Sequence, residues 1–570
     1  MCGICGIYGH IAPDKTASML DAILHRGPDG NIIQNFPWGS LGFCRLDIFG
    51  SSGINQPAIS DNKTAVVFNG EIYNFDELKA LLPGAKKVSD EVTLILELFL
   101  SYGVECFKLL KGMFAIAIMT PDELILVRDA VGIKPLVYSV ANKTIYFASE
   151  IKALLRIKED MVEIDEDALA EASVFGFIFD LEKTMFKGVR QIQPGSYARF
   201  KNGQVKVTKF YELKPSFYGA EVWDNAESVA SFSRLMDTSA KAYLKHSKHS
   251  PAIYLSGGID STLMTSFLQN NSPEQLDTYT LYDDQENEDR IFAARVAEAF
   301  GTHHYEHESD QDECLRFLDH YTYHYESLVT DGVFNVLGSL AFHLLSHKIS
   351  KKHKVAYCGE GADELFGGYY WLHSHPLGLG DKLRGRSQKI NNGNTAINEY
   401  IMGKFPDDDL KEPEMRKEIF DLLMGPGLTN CHLWSVDRSS SAFSFEARPL
   451  YLNDELRDWA LSLSIENKIS VDLNTKLILK KYALDTGNPF IYEVSARKKI
   501  GMPAALTQSL SKLISHSEET FQKNKNKSDL PHRQYSSFFH TDLEKLMFDK
   551  FYEIFVINKG KMANIGTVKG

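Results

Sequence analysis

The sequence predicts two globular units of different class, an α+β layered unit in front and a doubly wound parallel α/β unit behind it. The first follows from many short apolar segments that alternate with turn residues and include few helical patterns. The second follows from buried strands that alternate with helical patterns, as in parallel sheets. A chain of 570 residues is too long for one hydrophobic core and favours two to four domains.

In the front unit, which we place at residues 2–205, strands and helices can be assigned in order. Strands are expected at 4–8, 41–46, 65–68, 113–119 and 124–128. Helical patterns cover 16–25, 75–82 and 91–101. Residues 193–197 form a turn that leads into a strand, a polar Lys-rich stretch follows to 209, and 213–225 read as a linker.

The second unit, residues 226–515, alternates helices and strands. Helices are expected at 227–243, from 262, at 288–300 and at 335–349, and strands at 252–255, 278–281 and 355–357. The remainder of this unit is mainly helical. In the tail, 516–570, the polar region 515–528 suggests a mobile surface stretch, and 543–556 is apolar at helical spacing.

Composition and charge exclude several classes of protein. Apolar residues make up 44% of the chain and charged residues 24%, as in ordinary globular proteins. A net charge of −13 argues against nucleic acid or an anionic membrane as the main partner. No signal peptide or spanning apolar run is apparent. Seven scattered cysteines fit a reducing compartment, so we expect a cytoplasmic protein.

Cys2 is a candidate nucleophile. If the initiator Met is removed, Cys2 carries both a thiol and an α-amine, and the amine can accept the thiol proton directly or through a water. Cys2 and Cys5 also form a C-x-x-C pattern, which leaves a zinc half-site or a redox pair open. A zinc site needs a second pair, however, and a thioredoxin-like motif needs a preceding strand.

Two loops after predicted strands carry the chemistry of the second unit. In the loop 256–261, two glycines and a helix N-terminus can hold an anion, and Asp260 beside them can hold Mg²⁺. The loop 359–369 places Glu360, Asp363 and Glu364 within five residues, which is costly unless a cation lies among them. Because both loops follow strands, we expect them to face one crevice.

These motifs resemble the glutamine-dependent asparagine synthetases from Cys2 to about residue 506. The front motifs that carry the resemblance are Met1-Cys2-Gly3-Ile4, His25-Arg26-Gly27-Pro28-Asp29-Gly30, Arg45-Leu46, Phe68-Asn69-Gly70-Glu71-Ile72-Tyr73-Asn74 and Ser89-Asp90-Glu91. In the second unit the resemblance rests on the two loops 256–261 and 359–369 and on three further motifs, Val436-Asp437-Arg438, Glu446-Ala447-Arg448 and Arg497-Lys498-Lys499-Ile500-Gly501. The resemblance implies an N-terminal nucleophile hydrolase sandwich (layered αββα) followed by an ATP-pyrophosphatase domain.

In the front domain, the resemblance implies that Cys2 attacks the side-chain amide of glutamine. Asn69 and the Gly70 backbone N–H would form the oxyanion hole. Arg45 would pair with the α-carboxylate of glutamine, and Asp90 with Glu71 or Gly70 would hold its α-ammonium. Cys5 then becomes core filling.

In the second domain, the resemblance implies an ATP site with Mg²⁺ and no tightly bound organic cofactor. Glu360 and Lys499 would be catalytic, Asp260 and Asp363 would hold the metal, and Lys499 and Arg438 would neutralise pyrophosphate. The implied ATP-binding set is Leu255, Ser256, Gly257, Gly258, Asp260, Ser261, Leu281, Cys358, Gly359, Arg438 and Lys499. The implied acceptor-binding set is Asp363, Glu446 and Arg448.

The expected partners are therefore L-glutamine, ATP and a carboxylate acceptor, with L-aspartate as the default, and the resemblance suggests a homodimer. We expect ammonia to pass through an apolar channel between the domains, so that it stays neutral and water stays away from the acyl-adenylate. The sequence departs from the family pattern at 449–453, where Asn453 replaces a usual Asp.

This departure leaves other acceptors open, such as a sugar uronate, a peptide intermediate or a cell-wall diamino acid. A β-lactam-forming cyclase or a non-catalytic sensor of glutamine or nucleotide is disfavoured by the intact motif residues.

Overall fold

The computed structural model describes residues 1–10, 12–49, 55–82, 88–157, 162–214, 225–328, 338–369, 372, 376–390, 395–405, 412–470, 474–497, 505–524 and 530–561. These residues form three β-sheets. No helix among them is long and apolar enough to cross a membrane.

The front half contains two antiparallel six-stranded sheets, ordered β10-β8-β9-β1-β3-β2 and β12-β11-β7-β6-β5-β4. The strands are β1 Gly3–Tyr8, β2 Asn31–Phe36, β3 Gly39–Cys44, β4 Ala58–Ile59, β5 Ala65–Ile72, β6 Gly112–Met119, β7 Leu124–Arg128, β8 Val137–Ala141, β9 Thr144–Ala148, β10 Arg190–Gln191, β11 Ser196–Lys201 and β12 Gln204–Lys209. The helices are α1 Pro13–Ala22, α2 Phe75–Leu81, α3 Glu91–Tyr102, α4 Ile151–Leu155 and α5 Glu166–Phe175.

The two front sheets pack face to face because alternate side chains of their strands are apolar and point into the space between the sheets. Ile4 and Phe43 of the first sheet share one core with Val67 and Ala117 of the second. The outer faces are also apolar: α1 covers the first sheet, and α3 covers the second. The predicted αββα sandwich is confirmed.

The second half is built on a parallel five-stranded sheet with the order β15-β14-β13-β16-β17. Its strands are β13 Ala252–Tyr254, β14 Asp277–Tyr282, β15 His303–Glu308, β16 Val355–Cys358 and β17 Glu446–Pro449. Its helices are α6 Asn225–Lys245, α7 Ile259–Asn271, α8 Glu288–Phe300, α9 Glu313–Tyr325, α10 Gly338–Ile349, α11 Ala362–Phe366, α12 Pro376–Lys389, α13 Thr395–Lys404, α14 Glu412–Leu422, α15 Trp434–Ser441, α16 Asp454–Ser462, α17 Leu477–Asp485, α18 Pro489–Ala496, α19 Thr507–Lys523 and α20 Asp542–Tyr552. The strand order reverses between β13 and β16, which confirms the predicted doubly wound sheet and its helical C-terminal part.

Some segments of the second half differ from the expectation. The strand β15 was not predicted, because its sequence His-His-Tyr-Glu-His-Glu is polar and suits only the sheet edge that it occupies. The four-residue strand β17 was also missed. The region 515–528 was expected to be a mobile surface stretch; its residues up to Lys523 belong to α19, and residues 525–528 lie outside the described residues. The prediction of a helix over 543–556 agrees with α20 and the π-helical segment Glu553–Ile557 that follows it.

Buried charges join the two halves. The interface charge cluster consists of Arg26, Glu150, Lys152, Glu326, Asp437 and Arg438. Arg26 of the front half lies 2.7 Å from Glu150 and 2.9 Å from Asp437. Glu326 of the second half accepts hydrogen bonds from the first two backbone N–H groups of α4, at 2.9 and 2.7 Å. Three positive and three negative side chains therefore balance one another where water is excluded.

Candidate active site

A cavity in the front half surrounds Cys2, which directly precedes the interior strand β1. Cys2 Sγ lies 3.9 Å from the carbonyl oxygen of Leu46. Burial raises the pKa of the Cys2 thiol, so the thiol requires a nearby base to become a nucleophile. Burial also lowers the pKa of the Met1 α-amine to about 5. An amine in this environment is neutral at pH 7 and can accept a proton.

Asn69 and Gly70 lie in the second half of β5, and Gly70 lines the Cys2 cavity. Asn69 is fully buried, and neither polar atom of its side-chain amide has a hydrogen-bond partner among the described residues. Gly70 has a φ of 153°, and a Cβ at this position would lie 2.0 Å from the carbonyl oxygen of Met113. An unpaired buried amide is costly and indicates a ligand that completes it.

We expect Asn69→Ala to lower kcat for glutamine hydrolysis by about 10²–10³, with a much smaller change in KM, because an oxyanion is stabilised only in the transition state. Steady-state glutaminase kinetics measure both parameters. The exposed Asn35→Ala, in β2, serves as a control. A decrease of less than about threefold in kcat would show that Asn69 does not act as this donor.

Arg45 and Asp90 line the same cavity and also have local structural roles. Arg45 Nη2 lies 2.7 Å from Asp47 Oδ1. Asp90 caps α3 by accepting a hydrogen bond of 2.9 Å from the backbone N–H of Thr93. The cap holds the Asp90 carboxylate at the rim of the cavity.

The acidic side of this cavity contains Glu71 together with Glu91, to which the sequence had assigned no role. Glu91 Oε1 accepts a hydrogen bond of 2.6 Å from the backbone N–H of Ile72. Burial, offset in part by Arg448, raises the pKa of Glu71 to about 7. Burial and then the charge of Glu71 raise the pKa of Glu91. Two buried carboxyl groups of this kind favour a cationic ligand such as an α-ammonium group.

Glu446 and Arg448, predicted to bind the acceptor, lie behind the Cys2 cavity and do not line the cavity at the loops 256–261 and 359–369. Both are on β17, at the edge of the parallel sheet that faces the front half. Arg448 Nη2 lies 2.9 Å from Glu71 Oε1, and Glu446 lies 2.7 Å from Lys134 Nζ. The structure therefore does not bring this pair together with Asp363. Their contacts connect β17 to the Cys2 cavity.

A second cavity lies at the carboxyl ends of β13, β14 and β16, where the strand order reverses. The predicted residues that line it are Leu255, Ser256, Asp260, Ser261, Leu281, Cys358, Gly359, Glu360 and Asp363. Gly257 and Gly258 form the turn between β13 and α7, and Gly257 has a φ of 68°. A Cβ on Gly257 would lie 2.6 Å from the backbone nitrogen of Ala293. Only glycine fits this turn, which places the N-terminus of α7 at the cavity.

Lys476 neutralises the two carboxylates that were predicted to hold Mg²⁺. Its Nζ forms ion pairs with Asp260 and, at 2.6 Å, with Asp363. Lys476 is 3% exposed and has a φ of 56°, which is uncommon for a residue with a side chain. A Cβ on Gly368 would lie 2.3 Å from Lys476 Cε, so glycine at this position makes room for the lysine. A cation thus already lies between these carboxylates, and their oxygens also suit Mg²⁺.

We expect Lys476→Met to strengthen binding of a divalent cation in the absence of nucleotide, because the competing ammonium group is removed. Calorimetric titration with Mn²⁺ measures the affinity. Lys480→Met, one turn later on α17, is the matched control because Lys480 Nζ contacts Asn474 instead of a carboxylate. Unchanged or weaker Mn²⁺ binding by Lys476→Met would contradict the expectation.

Two further predicted residues lie elsewhere. Arg438, expected to neutralise pyrophosphate, is buried in the interface charge cluster, where it lies 3.0 Å from Glu326 and donates to the carbonyl oxygen of Ser149 at 3.1 Å. Its place on α15, which faces the front half, keeps it away from the nucleotide cavity. Lys499 lies outside the described residues.

Comparison with known proteins agrees with this arrangement. Residues 1–211 match the model of a glutamine amidotransferase domain, and residues 232–553 match that of asparagine synthase. The chain is 26% identical to asparagine synthetase [glutamine-hydrolyzing] 3 of Bacillus subtilis, over 97% of this chain and 93% of that protein. It is 29% identical to asparagine synthetase [glutamine-hydrolyzing] 1 of the same organism, over 66% of this chain and 60% of that protein.

A third relative is a putative asparagine synthetase [glutamine-hydrolyzing] of Mycobacterium bovis, at 31% identity over 66% of this chain and 60% of that protein. Two of these three matches thus span less than two thirds of the relative's length. The asparagine synthase match alone covers more than half of the chain, and it contains the nucleotide cavity and both of its loops. The chain belongs to the asparagine synthase family and carries a glutamine amidotransferase domain in front of its synthase domain.

Proposed function

We propose that this protein is a ligase that hydrolyses glutamine and uses the ammonia to amidate a carboxylate that it has activated with ATP. The observation that carries the proposal is the pair of separate cavities, one around Cys2 and one at the switch point of the parallel sheet. The family match of each half agrees with this division of labour.

In the front cavity, Cys2 Sγ attacks the side-chain amide of glutamine. Its proton goes to the α-amine of Cys2 after removal of Met1, and Asn69 and Gly70 stabilise the oxyanion. Arg45 holds the α-carboxylate, and Asp90 with Glu71 holds the α-ammonium. The C–N bond of the tetrahedral intermediate then breaks, the protonated α-amine of Cys2 returns its proton to the departing nitrogen, and ammonia leaves. Water hydrolyses the remaining thioester to glutamate and restores the Cys2 thiol.

In the second cavity, the acceptor carboxylate attacks the α-phosphorus of ATP, and pyrophosphate leaves. The N-terminus of α7 and the turn at Gly257 and Gly258 bind phosphate oxygens. Mg²⁺ held by Asp260 and Asp363 would neutralise charge on the phosphates, and Lys499 would assist. Ammonia must then cross between the halves, where the surroundings of Cys2 include the charged Glu446 and Lys134 in addition to apolar groups.

We propose L-aspartate as the acceptor. The structure of the segment 449–453 is relevant to this assignment because the sequence departs from the family pattern there. Asn453 caps α16 by accepting a hydrogen bond of 3.2 Å from Glu455, a role that Asp fills equally well. Tyr451 donates to the carbonyl oxygen of Asp260 at 2.9 Å. The departure from the family pattern thus keeps the cap of α16, and Tyr451 of the same segment contacts the loop 256–261.

An acceptor screen tests the proposal. With ATP, Mg²⁺ and glutamine, L-aspartate is expected to support both pyrophosphate release and amide formation. If another carboxylic acid supports both and aspartate supports neither, the acceptor assignment is wrong. If no acid of a broad panel does so with glutamine or with ammonium, the ligase proposal itself fails. The homodimer stays a prediction.

A further inference from the structure

His432 faces the acidic loop of the nucleotide cavity from the last turn of the π-helical segment Leu423–Leu433. Its Nδ1 lies 3.4 Å from Glu360 Oε2, and its Nε2 lies 3.4 Å from Glu364 Oε1. Tyr369 donates its hydroxyl hydrogen to Glu364 at 2.6 Å and lies 3.0 Å from His432 Nε2. The imidazole therefore bridges two of the three carboxylates of this loop.

The two carboxylates differ in their surroundings. The Glu364 side chain is 1% exposed, whereas the Glu360 side chain is 30% exposed and lines the cavity. One edge of the imidazole is thus anchored in the interior by Glu364 and Tyr369, and the other edge reaches the group that faces the substrate. Among the described residues, His432 is the one ion-pair partner of Glu360.

The local charges favour the protonated imidazole. Burial alone would lower the pKa of His432, but the carboxylates of Glu364 and Glu360 raise it well above its ordinary value. The other ionisable groups nearby are Asp363, which is paired with Lys476, and Cys431 on the same segment. The segment itself is irregular, since Gly425 has non-helical dihedral angles and Pro426 follows it. Such π-helical turns occur frequently at functional sites.

We propose that His432 is a positioning residue that holds the Glu360 carboxylate at the acyl-adenylate, and this rests on the proposed function. When ammonia attacks the acyl carbon, a C–N bond forms and the nitrogen acquires a positive charge. The Glu360 carboxylate accepts one proton from this nitrogen. The C–O bond to the phosphate then breaks, and AMP leaves with the electron pair. A carboxylate with three rotatable bonds must be fixed to accept that proton in the correct direction.

The experiment compares His432→Leu, which removes the bridge, with His432→Gln, which keeps a hydrogen-bond donor without the charge. The readouts are ammonium-dependent amide formation with L-aspartate, ATP–pyrophosphate exchange, and a crystal structure of each variant. We expect kcat for amide formation to fall about 10²-fold in the Leu variant, with KM for ATP and glutamine hydrolysis unchanged, and less in the Gln variant. The exposed His303→Leu is the matched control.

We also expect the Glu360 carboxylate to leave its present position in crystals of His432→Leu. The proposal is overturned if the Leu variant keeps the wild-type kcat, or if Glu360 stays in place in its crystal structure. It is also overturned if amide formation and glutamine hydrolysis fall equally in a folded variant, because a residue that positions Glu360 should not affect the separate Cys2 cavity. If the wild type makes no amide from any acid, the proposed function fails instead, and the crystal structures alone decide whether His432 positions Glu360.

Discussion

Replacing Cys2 by alanine is expected to abolish glutamine-dependent amide formation while ammonium-dependent formation persists. Among the described residues that line the front cavity, the Cys2 thiol is the group placed to attack the amide, so its loss removes the covalent route and lowers glutamine hydrolysis by roughly 10³-fold or more. The nucleotide cavity is built from β13, β14 and β16 and does not contain Cys2. Parallel assays of glutamate release and of amide formation with ammonium measure the two effects.

Cys5→Ala is the matched control for this variant. Cys5 lies three residues away in the chain, is fully buried in the core beneath α1, and does not line the cavity. It is expected to retain glutamine hydrolysis. A folded Cys2→Ala variant that loses ammonium-dependent synthesis as well would contradict separate sites for the two reactions.

Among the variants proposed for this protein, the one that removes the carboxylate of Glu326 is expected to lower the free energy of unfolding most. This side chain is fully buried, accepts from two backbone N–H groups of α4, and pairs with Lys152 at 3.0 Å. Glu326→Ala leaves the two backbone donors without a partner and gives the buried cluster around Lys152 and Arg438 an excess of one positive charge. We expect the free energy of unfolding to fall by about 3–5 kcal/mol, measured by urea denaturation.

An exposed ion pair serves as the comparison for the buried Glu326. Glu163 and Lys187 are both more than half exposed, so Glu163→Ala is expected to cost less than about 1 kcal/mol. Equal losses in the two variants would mean that the interface charge cluster adds little to stability. Glu326→Gln should be intermediate, because the amide oxygen can still accept hydrogen bonds while the charge is lost.

The sequence predicted the parts of the site whose chemistry is local. The turn at Gly257 and Gly258 and the acidic loop with Glu360 and Asp363 each follow a strand, so their residue types and the switch-point rule together were sufficient to place them. The lining of the Cys2 cavity was likewise predicted from motifs on β5 and at the start of α3.

Contacts between distant segments could not be predicted in this way. Lys476 reaches Asp260 across 216 positions, and no pattern around Lys476 marks it. Glu326 pairs with Lys152, which lies 174 positions away in the chain, and nothing in the sequence around Glu326 indicates this contact. Arg438, Glu446 and Arg448 were assigned to substrates by resemblance alone, whereas their surroundings depend on how the edge strand β17 and helix α15 meet the front half.

The interface charge cluster also limits how domains of relatives could be exchanged. Its front residues are two cations and one carboxylate, and its rear residues are one cation and two carboxylates. The charges therefore balance only when the two halves are together. A chimera that takes its amidotransferase domain from a relative with a different set of charges would bury an unmatched ion. Substitutions at Arg26, Glu150 or Lys152 should therefore persist in evolution only together with compensating changes in the second half, which makes the two domains a co-inherited pair.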